Sequence, residues 1–475
     1  MTGVLNIGLG LNLYKQVVEL KRTALILSFL VVGASLSGCG GSSSNESALF
    51  PTPPPTATPT QEPHDPFATI NFADIEPVNT NSSYVSVLKP CVLAESSNDF
   101  CSLAKLPIMG LESDTLSVDD VMARVLVSHQ WQADNFRLLL ESYPVELLAL
   151  FKGLTAVVID ADIRPSHYRT ETGAIYLDPG YLWTTVAHKE TISKAEDYRA
   201  GFADPLAFRT LSRYTKDDNY VYNYGSLNDN STRTLGDISL LLARLLLHEL
   251  AHVNDFMPLD RYSDLDTSLN VDGAILSLGL GATISDQLYD FVPLTSSLLM
   301  DLAEVMFFGR TPTTAEKAIS ASNVSTAFSN DSASDDYAYS NQYEDLAMLF
   351  EAAMMKYFWD VDYDLAITGT PSNDGYYCND YVIRWGVRNR LGDAAVGARA
   401  KFVTDALMPN LDMDDFYNNL EEPRYMLAGS DWCLPTIFSE TGAGLQKVQR
   451  SDTSSLSTIE KVERPIPIDD LGKPH

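Results

Sequence analysis

LGDISLLLARLLLHELAHVNDF, Leu235–Phe256, holds the one arrangement in this chain that demands a specific chemistry. Ile238–Leu247 is nearly all apolar, interrupted only by Ser239 and Arg244. The pattern predicts a helix buried on most sides, and Pro258 stops it just past Asp255. Within it His248, Glu249 and His252 spell H-E-x-x-H. Positions four apart on a helix share a face, so the two imidazoles can converge on one metal ion. Glu249 follows the first imidazole directly and can reach a water at that metal. Zinc with an open coordination position lowers the pKa of its water towards 7, and a carboxylate beside it can accept the proton.

At His248–His252 the chain resembles the zincin metallopeptidases. The resemblance implies Zn2+ held by His248 and His252, Glu249 as general base, and a protein or peptide substrate. It also implies an α+β, helix-rich fold with a small sheet beside the HExxH helix. A third protein ligand is required. In the metzincin type it lies six residues after the second His; here that position is Pro258, which cannot bind a metal and excludes the subclass. In the gluzincin type it is a Glu on a later helix.

Tyr343–Trp359, YEDLAMLFEAAMMKYFW, supplies such a helix. Leu346, Leu349, Phe350, Ala353 and Tyr357 make its core-facing stripe, while Glu344, Ala347 and Glu351 line another face at i, i+3, i+7. Its Glu-Asp-x-Ala start resembles the third-ligand helix of gluzincin-like families. Carried over, Glu344 is the third ligand and Asp345 orients a ligand His through its ring N–H, as metal sites generally require. The rival is Glu304, on a helix expected at Thr295–Phe308, where Phe307 and Phe308 follow. Small Ala347 favours Glu344, because it lets the helix approach another closely. The plainer account is a solvated acid pair at a helix start, where the dipole favours acids.

Residues 1–38 read as a signal peptide: Lys15, Lys21 and Arg22, then apolar Thr23–Leu36, then Leu36-Ser37-Gly38-Cys39. The last four resemble the bacterial lipobox, which implies cleavage before Cys39, acylation of its thiol and a lipid anchor in the cell envelope, the outer membrane favoured. Residues 39–66 form a Pro/Ser/Thr-rich tether with too little apolar surface to order itself. Residues 67–440 have globular composition and enough length for two packed subdomains. Residues 441–475 are polar and read as a loose tail. Besides Cys39, the cysteines are Cys91, Cys101, Cys378 and Cys433. An even number in an exported chain favours disulfides; nearest-neighbour pairing, Cys91–Cys101 and Cys378–Cys433, closes the shortest loops.

Elsewhere, Asp119–Leu150 reads as one or two helices, Thr155–Asp160 and Thr172–Pro179 as strands, and Asp197–Tyr224 as a loop-rich connection. Thr311–Asp336 reads as a surface excursion. Gly173–Asp178 is either the edge strand for a substrate laid alongside or a plain core strand. His129 is expected beside Trp131, and His167 and His188 are expected to be structural. Tyr376, Tyr377 and Tyr425 are candidate donors to an oxyanion. Thirty-three basic against 63 acidic residues give a net charge of -30, which opposes binding to nucleic acid or anionic lipid. The alternative function is a non-catalytic, zinc-containing binding lipoprotein with the same fold.

Overall fold

The computed structural model describes residues 74–279, 283–371, 380–433 and 438. The signal segment, Cys39, the tether, the tail, Cys378, Tyr376 and Tyr377 lie outside them. Ten short strands make two five-stranded sheets, and helices fill the space between and around them. No helix among the described residues is long and apolar enough to cross a membrane.

The first sheet contains β1 (Glu76–Pro77), β2 (Val125–Val127), β3 (Ala156–Ile159), β4 (His167–Arg169) and β5 (Ala174–Leu177), in the order β1-β2-β3-β5-β4. Its middle strands β2, β3 and β5 are parallel, while β1 and β4 run antiparallel at the two edges. Every residue of β3 and β5 is buried. Val157, Ile159, Ile175 and Leu177 join the main core, while Ala156, Val158, Ala174 and Tyr176 pack with Leu88, Cys91 and Val92 of α1 (Val85–Val92). Cover on both faces is why these strands read as unbroken apolar runs. The Cys91–Cys101 disulfide fastens the end of α1. Cys433 is also disulfide-bonded.

Two segments depart from their expected form here. Asp119–Leu150 is not purely helical. Between α2 (Val118–Met122) and α3 (Gln130–Leu140), Val125–Val127 pairs with β3, and only then does α4 (Val145–Ala149) follow. The β-branched valines meet a ready strand partner, and tertiary pairing overrides the helical pattern. Gly173–Asp178 is not an edge either: β5 lies between β3 and β4, and β4 holds the edge.

The central helix is α5, Leu235–Phe256, as its sequence predicts. Thr234 and Asp237 form a capping box at its start, satisfying backbone N–H groups that have no helical partner. From Leu241 to Asp255 it is buried on all sides. Beyond it come α6 (Ile284–Phe291), α7 (Ser297–Met306), α8 (Ala321–Ser329) and α9 (Gln342–Trp359). The last packs along α5, is capped by Asn341 and is buried from Asp345 through Met355.

The second sheet is antiparallel, ordered β10-β9-β8-β6-β7 from β6 (Phe208–Lys216), β7 (Asn219–Tyr220), β8 (Asp362–Gly369), β9 (Ile383–Arg388) and β10 (Arg424–Tyr425). Asp197–Tyr224 therefore holds a nine-residue strand where a loop was expected. Its charges concealed it: Arg213 lies opposite Asp364 on β8, and the two are buried as an ion pair at 3.0 Å. Thr311–Asp336 is no surface excursion. Val324 and Phe328 of α8 enter the main core, and buried Arg390 donates to the carbonyls of Phe328, Asp331 and Ala333. One hydrophobic cluster draws on both sheets, Val157 from the first and Leu365 from the second.

Ala347 is fully buried on the face of α9 that meets α5. Ala347→Leu should overpack that contact and cost about 1–3 kcal/mol of stability, measurable by urea denaturation.

Candidate metal centre

Helix α5 carries Arg244, His248 and His252 at successive turns of one face, with Glu249 beside them. Helix α9 brings Glu344 and Glu351, seven residues apart on its matching face. Glu344 Oε2 lies 3.1 Å from His248 Nε2 and 3.3 Å from His252 Nε2, and the two Nε2 atoms are 3.3 Å apart. Three donor atoms thus face one point, and the group could hold a metal ion. The rings of His248 and His252 stand nearly perpendicular, at 83°. His248 and Glu249 are each 2% exposed and His252 is 8% exposed, so the donors sit inside the fold.

Burial works against charge at each of these groups, and the outcome differs. Burial disfavours the His248 cation, but Glu344 and Glu351 outweigh it and hold the ring at a pKa of about 10. Burial also opposes ionisation of Glu344, yet His252 and His248 press its pKa well below the usual carboxylate range. At Glu249 burial prevails over the two imidazoles and the pKa rises. A raised carboxylate pKa suits a general base, whose pKa works best near the operating pH.

Behind His248 the structure adds a second tier. Glu351 Oε2 lies 3.4 Å from His248 Nδ1. Its other oxygen accepts from Tyr214 Oη at 3.0 Å and from Arg244 Nε at 3.1 Å. Arg244 in turn donates to Tyr224 Oη at 2.6 Å. With Nδ1 turned to a carboxylate, Nε2 is the ring atom that faces the shared point.

Asp345 does not serve this role. One position on from Glu344, it points about 100° away around the helix, where Arg399 of α10 (Ala394–Leu407) grips both its oxygens. Arg399 also donates to Val292 O and Ser332 O, so the pair locks α9 to the surrounding fold. Glu304 is exposed on α7, outside the donor cluster. Tyr425 belongs to β10, where it meets Trp385. His129 bonds Ser128, and the ring stacked on Trp131 is His188. His167 stacks on Tyr176, and burial lowers its pKa to about 4.

Three residues around the cluster escape sequence reasoning. The ring of Tyr337 stacks on His248 at 6.3 Å, and burial with the Glu344 charge beside it raises its phenol well above the usual value. Arg199 is buried, paired to Asp197 at 2.6 Å, and its charge acts on both Tyr337 and Glu249. Tyr198 feels the charge of Glu344. None stands at a telling spacing from the HExxH residues. For Tyr198 and Arg199 the Tyr- and Arg-rich composition of Asp197–Tyr224 is the one signal.

Glu351→Gln should weaken metal binding about 10–100-fold, read as a dissociation constant by competition with a chromogenic chelator. Asp345→Asn should instead lower global stability by unpairing buried Arg399, about 3–5 kcal/mol by denaturation. Compared with protein-family models, with curated proteins and with solved structures, the chain matches none.

Proposed function

We propose that the protein is a zinc-dependent peptidase of the zincin, gluzincin-like type. The observation that carries this is the convergence of His248, His252 and Glu344 beside Glu249. Zinc–ligand distances of about 2.0–2.1 Å in a tetrahedron give donor separations of about 3.3 Å. The three separations here, 3.1, 3.3 and 3.3 Å, fit that figure. Two imidazoles and one carboxylate are also the ligand types of a catalytic zinc, as opposed to a closed structural one, and zinc would displace the proton that the glutamates hold on His248.

Bound zinc would polarise the scissile carbonyl and acidify the attacking water. Glu249 accepts that water's proton and returns it to the leaving amine. Glu351 and Arg244 keep the His248 ring oriented. Tyr337, stacked on His248, and buried Arg199 are the candidate donors to a developing oxyanion. The substrate is a protein or peptide. The Cys91–Cys101 disulfide supports an exported chain, since such bonds persist in oxidising compartments. Anchoring through Cys39 completes the picture of an envelope lipoprotein.

One observation favours the second reading, a binding lipoprotein that holds zinc without cleaving. His248, Glu249 and His252 are almost entirely covered, which leaves a peptide little access.

Metal content and cleavage together decide between them. The full chain, reconstituted with zinc, should hold roughly one equivalent, and Glu344→Ala should lose it while Glu304→Ala keeps it. A broad peptide library should show chelator-sensitive cleavage. Glu249→Gln should retain the metal and lose at least about 100-fold in rate. Zinc bound without any cleavage supports the binding protein; failure to bind zinc overturns both.

A further inference from the structure

Helix α6 supplies no ligand, yet it is bonded to both helices that do. On one side it meets α5. Asp255, fully buried, stands three residues past His252, and its Oδ1 accepts the Ser285 N–H at 2.7 Å in the first turn of α6. Ser285 is itself fully buried. On the other side α6 meets α9. Gln342, the first residue of α9 and two before Glu344, donates through Nε2 to Asp286 Oδ1 at 2.7 Å. The other oxygen of Asp286 accepts from Thr283 Oγ1 at 2.6 Å, the residue that caps α6. One short turn, Thr283–Asp286, therefore ties α5 and α9 together, and each tie lies within one turn of a donor atom.

We propose that this turn is a strut that sets the metal centre, with Asp286 and Gln342 as positioning residues for Glu344. This inference rests on the metal-binding reading above. Metal affinity depends steeply on where the donors sit, and Glu344 is the only one of the three on a separate helix. Asn341, the cap of α9, accepts from the N–H groups of Tyr343 and Glu344, so the start of α9 is already well formed. What remains to be fixed is where that start lies relative to α5. The hydrogen bond that Gln342 donates to Asp286, on an element also bonded to α5, fixes it. Both Asp286 and Gln342 are half-buried, so replacing either leaves the core filled.

The test uses the full chain and reads metal, not catalysis. Zinc dissociation constants are measured for the wild type, Asp286→Ala, Gln342→Ala and the double variant, along with the visible spectrum of each loaded with cobalt(II). Each single variant should weaken zinc about tenfold, the worth of a hydrogen bond to a charged group. The double variant should be no weaker than either single, because both remove the same contact. The cobalt spectrum should change in intensity, as a displaced carboxylate requires. Asp286→Asn keeps an acceptor for Gln342 and should bind zinc within about twofold of wild type. Tyr289→Ala, an exposed position on α6, controls for general loosening of the helix and should change nothing.

Single variants that bind zinc as tightly as wild type, or whose losses simply add, overturn the strut and leave the metal centre standing. A wild-type chain that binds no zinc overturns both. Should Asp286→Ala fold poorly, the contrast between Gln342→Ala and Asp286→Asn decides alone.

Discussion

Glu351 is a carboxylate without solvent, placed at the contact between two apolar helices, and its charge has to be answered there. An unpaired charge at such a depth would cost several kcal/mol. The answer comes entirely from α5 and from a strand of the second sheet: Arg244, His248 and Tyr214 all turn towards it. That requirement fixes the rotation of α9 about its own axis. Once Glu351 faces Arg244 and His248, Glu344, two turns earlier on the same stripe, must face His248 and His252. The ion-paired floor therefore determines the arrangement of donors above it.

The two sheets contribute differently to this core. The parallel strands of the first contribute Val157, Ile159, Ile175 and Leu177 to the same core that α5 fills. The second offers a polar surface inside the protein, with Arg213, Asp364 and Arg388 buried as a set. Tyr214, on the same strand as Arg213, belongs to the metal helices' network instead. β6 thus has one charged face turned to its own sheet and one phenol turned to the site.

How much of this was legible depended on how far apart the cooperating residues lie in the chain. Helix α5 could be read outright, since its apolar run, cap and Pro258 are all local. Glu344 could be reached through the resemblance of its Glu-Asp-x-Ala start to a gluzincin-like third-ligand helix. The i, i+3, i+7 spacing of its face contained Glu351, but neighbouring Asp345 seemed the natural assistant; only the packing of α10, through Arg399, shows which way Asp345 turns. Strands β2 and β6 were missed because their partners are more than 30 and 140 residues away, respectively. Tyr337 and Arg199 were missed for the same reason: they reach His248 and Glu249 from distant segments. The Cys91–Cys101 pairing was legible because it is close in sequence.

The enclosure of His248 and His252 has a kinetic side. Glu344 and His252 keep 16% and 10% of their side chains exposed, so the donors have one wet side while dense apolar contact closes the others. An ion would come and go from that side, and so would the water that completes its coordination.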